Sequence, residues 1–186
     1  MRAMKLFFVL GITALLAGCE PTLSLHSLCT ERDLVFDPAL VGSWVGEEDH
    51  FTITFQKSGE NAYELFFLGE GMTGKHFEAR LAQLGRFRFL NICPKELDTK
   101  DEFYKNHLIR AHTFYRIKID GDVLEINYLD DDWVKKMVEE RKLSIAHETF
   151  EGTMVLTAST DELQNFVLMY AEDTEAFPSV AYHRQK

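Results

Sequence analysis

Cysteine, proline and positive charge are all scarce in this sequence. Of its 186 residues only 3 are cysteine and 4 are proline, and 20 Lys and Arg stand against 30 Asp and Glu. The resulting formal charge of −10 repels phosphate backbones and anionic lipid headgroups, so a nucleic-acid role is not expected. With 46% hydrophobic and 27% charged residues, the composition is that of a globular protein.

The most prominent apolar run lies at the N-terminus, from Leu6 to Leu16. Arg2 and Lys5 precede it, and the small residues that follow it end at Gly18. This order of charged, apolar and small regions is typical of a secretory signal peptide. The run is shorter than the roughly 20 residues of a transmembrane helix, so an uncleaved membrane helix is the weaker interpretation.

The sequence Leu16-Ala17-Gly18-Cys19 resembles the lipobox of bacterial lipoproteins. That resemblance implies cleavage between Gly18 and Cys19 and acylation of Cys19. Each buried CH₂ group contributes about 0.8 kcal/mol, so several acyl chains together make a stable anchor. Position 20 is Glu, not the Asp that marks inner-membrane retention in many Gram-negative lipoproteins. By the same resemblance we expect a cell-envelope protein anchored in the outer membrane and facing the periplasm.

Two cysteines remain after Cys19, at positions 29 and 93. In an oxidising compartment Cys29 and Cys93 can form a disulfide, which would tie the start of the mature chain to its middle. The alternative is two separate buried thiols that pack as small apolar groups. The spacing of the two residues does not decide between these alternatives, because it does not fix the distance between their Cα atoms.

Apolar and polar residues alternate in short runs from Gly42 to Leu129, a pattern that predicts antiparallel strands. Phe51, Ile53 and Phe55 share one face of such a run, and Asp120-Gly121 is a tight hairpin signal. Further alternating runs occupy Tyr63–Leu68, Phe77–Leu81, Phe87–Phe89, Tyr115–Ile119 and Leu124–Tyr128.

The C-terminal third predicts two helices with a short strand, Thr153–Thr157, between them. Asp130–Asp132 precedes an amphipathic pattern that runs from Trp133 to Arg141, and acids at that position cap a helix. A calcium site there is the less favoured alternative, because the alternating ligands and the Gly of an EF-hand loop are missing. Ser159-Thr160-Asp161-Glu162 is a capping box that begins the second helix, and Pro178 marks its far limit.

The sequence Leu40-Val41-Gly42-Ser43-Trp44 resembles the G-x-W entry of lipocalins, in which the Trp plugs one end of the barrel. As a whole, Leu40–Phe177 is similar to small uncharacterised bacterial lipoproteins with a lipocalin-like barrel. Particular likenesses are Asp131–Lys136 and Leu156–Leu163. The resemblance implies a fold and a plugging role for Trp44, but no activity.

Short strands that each have one apolar face can hide that face by curling into a barrel, which also removes exposed edges. We therefore expect a mostly β protein with three parts. Residues 1–18 are the signal peptide, residues 19–38 a lipidated N-terminus and tether, and residues 39–186 one antiparallel lipocalin-like barrel with two flanking helices near the C-terminus.

The sequence offers no catalytic or cofactor motif. It has no G-x-S-x-G elbow, P-loop, dinucleotide fingerprint or H-E-x-x-H pair. His107 and His112 are five residues apart in a predicted loop, where solvated histidines are the favoured interpretation and a metal site the alternative. We predict no enzyme, no metal and no cofactor.

Two hypotheses of function remain. The first rests on the 15 phenylalanines, most of which must pack a core while some line an apolar cavity. It predicts a membrane-anchored binding module for a small apolar ligand, whose contact residues the sequence does not identify. The second rests on the formal charge, which becomes −12 once residues 1–18 and their two cations are removed. It predicts an acidic protein that docks on a cationic envelope protein as an inhibitor or assembly factor.

Overall fold

The computed structural model describes residues 21–47, 51–69, 76–96 and 99–186. The predicted cleavage and lipidation residues, Gly18 and Cys19, lie outside these ranges. The strands are β1 (Leu23–Ser24), β2 (Leu34–Val35), β3 (Gly42–Gly46), β4 (Thr52–Lys57), β5 (Tyr63–Leu68), β6 (His76–Leu84), β7 (Phe87–Pro94), β8 (Thr113–Asp120), β9 (Val123–Tyr128), β10 (His147–Phe150), β11 (Thr153–Leu156) and β12 (Ser179–Arg184). The α-helices are α1 (Glu102–Lys105), α2 (Asp131–Glu139) and α3 (Thr160–Tyr170), and two 3₁₀ helices span Glu31–Asp33 and Pro38–Leu40.

Eight strands form a closed antiparallel barrel, which confirms the predicted fold class. The strands from β3 to β9 each pair with the next strand along the chain, in up-and-down order. The last strand, β12, pairs with both β9 and β3 and so closes the barrel. The long connection from β9 to β12 carries the two predicted helices, α2 and α3.

The closing strand lies beyond Pro178, where the sequence pattern predicts no further element. A second, three-stranded sheet was not expected either. In it β11 pairs in parallel with β1 and antiparallel with β10. Both features depend on pairing between segments that are far apart in the chain.

The two predicted helices begin at the residues that their capping signals indicate. The side chain of Asp130 accepts a hydrogen bond of 2.7 Å from the amide of Trp133 at the start of α2. Ser159 and Glu162 form the predicted capping box at the start of α3. Each cap satisfies amide groups that have no partner inside the helix, which contributes about 1 kcal/mol per cap.

The barrel wall separates two hydrophobic cores. Strand residues that point inward fill the first core, among them Trp44, Tyr63 and Leu81. The second core lies outside the wall, where Phe89 and Phe114 pack against apolar residues of α2 and α3. Alternation along β7 explains this division, since Leu90 belongs to the inner core and its neighbour Phe89 to the outer one.

The two ends of the barrel differ in their connections. Short hairpins at residues 58–62, 85–86 and 121–122 join strands at one end, which we call the closed end. The β3–β4, β5–β6 and β7–β8 connections lie at the opposite end, which we call the open end. At the closed end, Gly121 has a φ of +58°, a left-handed conformation that glycine adopts without strain and that tight hairpins require.

The segment expected to be a tether is packed on the domain from Pro21 onward. Thr22, Ser24 and Leu28 are all buried. The buried side chain of Asn91 on β7 accepts a hydrogen bond of 3.0 Å from the amide of Leu28. Because this segment also supplies β1 and β2, residues 21–38 are part of the folded domain.

In the portion of the chain that the structure describes, no helix combines the length and the apolar character needed to cross a bilayer.

Candidate functional site

A cavity of about 390 Å³ occupies the half of the barrel nearest the open end. Its volume falls within the range of about 300–1,000 Å³ that is typical of small-molecule sites. Buried, inward-facing side chains of four strands form part of its wall, namely Ile53, Phe55, Leu65, Leu90, Ile92 and Ile126. The period-two alternation of these strands therefore builds an apolar interior that the side chains do not fill.

Three aromatic rings lie along one side of the mouth of this cavity. The ring of Phe67 lies 5.5 Å from that of Phe51 and 5.2 Å from that of Phe77, measured between centroids. All three side chains line the cavity and yet are only partly buried. Because these inward-facing rings remain accessible, the residues that the structure describes leave the cavity open at this end. Pro21 also lines it.

The wall carries few polar groups. They are the hydroxyls of Thr113, Tyr115 and Tyr182. Burial raises the pKa of Tyr115, although a hydrogen bond with the side chain of Thr113 acts in the opposite direction. Tyr115 is therefore a neutral phenol at physiological pH. A wall of this kind suits an apolar ligand with at most one or two hydrogen-bonding groups.

Trp44 lies in the inner core near the closed end. Its side chain is fully buried, and its indole Nε1 donates a hydrogen bond of 2.9 Å to the carbonyl of Leu40. The guanidinium of Arg184 lies over the indole ring. Trp44 thus lies on the first barrel strand, and the plugging role that the G-x-W resemblance implies stays a prediction.

Arg184 forms hydrogen bonds with the segment that leads into β3 at the closed end. It donates hydrogen bonds of 3.0 Å to the carbonyl of Val41 and 2.6 Å to that of Ala39. Gly42 is required beside it, because its φ is +127° and a Cβ there would lie 2.9 Å from the Arg184 Nη1. Through Arg184, β12 is therefore hydrogen-bonded to the segment that precedes β3.

A second polar cluster lies at the same end. Asp37 forms an ion pair with Arg88. Its amide donates a hydrogen bond of 2.7 Å to the Tyr63 hydroxyl, which in turn donates one of 3.1 Å to the Asp37 carbonyl. Burial raises the pKa of Tyr63, so the phenol stays protonated and able to donate. With both clusters in place, access to the cavity is from the open end.

The two cysteines proposed as a disulfide are both free thiols in the structure. The Cys29 Sγ contacts the carbonyl of Arg80 at 3.9 Å, whereas Cys93 is paired in register with Glu78 on β6. Burial raises the pKa of Cys29 to about 12 and also raises that of Cys93. Both groups are therefore thiols and not thiolates near neutral pH.

The histidines considered as ligands make separate contacts. The His107 Nδ1 lies 2.7 Å from the carbonyl of Phe103, and the His112 Nδ1 lies 3.1 Å from the Asn91 Nδ2. Asp130 caps α2, and Asp131 pairs with Lys135 one turn later. Within the described residues, no three His, Cys, Asp or Glu side chains lie close enough together to hold a metal ion.

Sequence reasoning missed two parts of the site. The alternation of β4, β5 and β7 identifies which side chains point inward, so most wall residues could have been named. Arg184 carried no comparable signal, since a cation between the polar residues His183 and Gln185 looks like part of a solvated segment.

A scan against protein-family models, a search of curated proteins and a search of solved structures each gave no match to this chain.

Proposed function

We propose that this protein is a lipid-anchored binding module that holds a small apolar ligand inside its barrel. The observation that carries the proposal is the apolar cavity of about 390 Å³ in the half of the barrel nearest the open end. An empty apolar cavity is costly for a fold because its lining loses van der Waals contacts. A ligand that fills it restores those contacts.

The chemistry of the wall defines the class of ligand. Burial of apolar surface contributes about 25 cal/mol per Å², so a ligand enclosed by Ile, Leu and Phe side chains derives most of its affinity from its hydrocarbon part. The hydroxyls of Thr113, Tyr115 and Tyr182 can orient one polar group. Neutral hydroxyls supply no charge to balance an ion deep in the cavity, so any charged group of the ligand stays at the mouth.

The proposed location is the periplasmic face of the outer membrane. Support comes from the signal sequence ending in Leu16-Ala17-Gly18-Cys19 and from Glu20 after the acylated residue. Growth of cells with labelled palmitate tests the anchor. The label is expected in the wild-type protein and absent from a Cys19→Ser variant. An unlabelled wild-type protein would contradict the proposed anchor.

Native mass spectrometry of protein extracted from membranes tests the binding proposal. We expect a population heavier than the polypeptide plus its acyl groups, and denaturation should release the extra mass as a small apolar molecule. A spectrum with only the acylated polypeptide, together with a crystal structure whose barrel is filled by side chains, would overturn the proposal.

The alternative is an acidic protein that docks on a cationic envelope protein, and it rests on the formal charge of −12. Such a complex weakens as salt screens the charges. Recovery of a basic partner at low salt, lost at high salt, would favour this alternative.

A further inference from the structure

We propose that the open end of the barrel rests on the bilayer that holds the anchor, so that the cavity mouth faces the lipids. This inference rests on the proposed acylation of Cys19. It adds to the proposed function an orientation of the barrel relative to the bilayer. This orientation makes the bilayer the source of the ligand. The ligand is then a membrane-dissolved apolar molecule that passes between bilayer and cavity without crossing bulk water.

The first argument is the distance from the anchor to the cavity. Pro21 lines the cavity, and the next residue is fixed by a hydrogen bond of 3.1 Å from its amide to the carbonyl of Leu129. Cys19 is two residues before Pro21. An extended chain spans at most about 3.6 Å per residue, so the acylated residue lies within about 7 Å of Pro21. The bilayer surface and the mouth are therefore held close together.

The second argument is the apolar character of the rim around the mouth. Leu68 at the end of β5 is 64% exposed, and Phe103 and Ile109 in the β7–β8 connection are 77% and 73% exposed. Tyr104 beside them is 56% exposed. The up-and-down order places Leu68 and the connection that carries the other three residues at the open end. Large apolar and aromatic side chains of this kind insert into the headgroup region of a bilayer.

The third argument is the distribution of charge. An acidic protein is repelled by anionic lipids, but the β7–β8 connection is locally neutral. Residues 95–112 contain four basic and four acidic residues, so the excess of acids lies elsewhere in the chain. The basic residues Lys100, Lys105 and Arg110 flank the exposed Phe103 and Ile109. The β7–β8 connection, unlike the acidic β3–β4 connection with Glu47, Glu48 and Asp49, therefore adds no net repulsion from anionic lipids.

Quenching of an added tryptophan by brominated lipid tests the orientation. The acylated full-length protein is reconstituted into phosphatidylcholine vesicles whose acyl chains carry bromine. Phe103→Trp places the probe on the rim. Met169→Trp is the matched control, because Met169 is 73% exposed on α3, whose neighbouring Leu168 lies beside the closed-end residue Gly85. The native Trp44 and Trp133 are both buried and contribute the same background fluorescence in the two variants.

We expect severalfold stronger quenching, and a blue-shifted emission, for the Phe103→Trp probe than for the Met169→Trp probe. Equal quenching of the two probes, or stronger quenching of Met169→Trp, would overturn the inference. Mass spectrometry of the same samples verifies acylation, and a protein without acyl groups would overturn the anchor and the orientation together. Neither result decides whether the cavity binds a ligand, which native mass spectrometry tests separately.

Discussion

The guanidinium carbon of Arg184 lies 4.1 Å from the centre of the Trp44 indole ring. The two residues are directly paired in register across β12 and β3, the last and first strands of the barrel. A cation over an indole face contributes about 0.5–2 kcal/mol. This contact therefore stabilises the barrel at the seam where it closes, near the closed end.

Replacement of Arg184 tests the importance of that seam. Arg184→Ala removes the contact with Trp44 and leaves the carbonyls of Ala39 and Val41 without their donor. We expect the free energy of unfolding in urea to fall by about 2 kcal/mol. Arg184→Lys keeps the charge but loses the forked donor, and it should lose only part of that stability. A loss below about 0.5 kcal/mol for Arg184→Ala, the range of ordinary surface changes, would contradict the account.

Asn91 is expected to hold the N-terminal segment on the barrel. Its Oδ1 accepts the Leu28 amide, which is buried, so Asn91→Ala leaves that donor without a partner. We expect a loss of about 1–3 kcal/mol in unfolding free energy, and faster hydrogen exchange at the Leu28 amide. Gln56→Ala, at an exposed position of β4, is the control and should change stability by less than about 0.5 kcal/mol. Similar results for the two variants would contradict this role.

Protonation of Asp33 should lower the free energy of unfolding at acid pH. Burial raises the pKa of Asp33, but hydrogen bonds from the Thr30 side chain, Gln164 and the Thr30 amide outweigh burial and hold the pKa below 3.8. A carboxylate with a lowered pKa contributes stability above its unfolded value, and that stability is lost as the pH falls through the folded value. The urea midpoint should therefore fall less with acidification in Asp33→Asn than in the wild type. The exposed Glu60→Gln variant should follow the wild type, and equal acid sensitivity in all three proteins would contradict the prediction.

Much of the barrel follows from local patterns. The alternation of Phe51, Ile53 and Phe55 predicts β4, and Tyr63–Leu68 matches β5 residue for residue. These strands each bury one face, so their hydrophobic period is visible in the sequence. The cap at Ser159 likewise locates the start of α3 because the interaction is local.

What the sequence could not predict depends on contacts between distant segments. Only one face of β12 meets the inner core. Its Val180 is exposed, and its last residues are polar. It becomes a strand because β9 and β3 both offer it hydrogen bonds. The cavity is a further example. Alternation shows which residues point inward, whereas the space left between them depends on how their volumes fit a barrel of that diameter.

The state of the cysteines can be tested by alkylation without reductant. Because burial raises the pKa of Cys29 to about 12, the folded protein should react slowly with iodoacetamide at this residue near neutral pH, and faster as the pH rises. Unfolding in urea should expose both Cys29 and Cys93 to rapid alkylation. Peptide mass spectrometry identifies the sites, and an unfolded protein that takes up no label at either residue would show that they form a disulfide.

The central claim is that the barrel is hollow and holds an apolar ligand. Ile92→Trp places an indole in the cavity wall, and Met169→Trp adds the same group on the outer surface of α3. In a filled barrel, the first substitution would overpack the core and cost about 1–3 kcal/mol, whereas a hollow barrel accommodates it.

Titration with a dansyl-labelled long-chain fatty acid measures binding in the cavity most directly. We expect saturable binding at one site in the wild type and in Met169→Trp. Ile92→Trp should bind at least about tenfold more weakly, a difference of about 1.4 kcal/mol, while its melting temperature does not fall. Absence of saturable binding to the wild type, or unchanged affinity in Ile92→Trp, would contradict the claim.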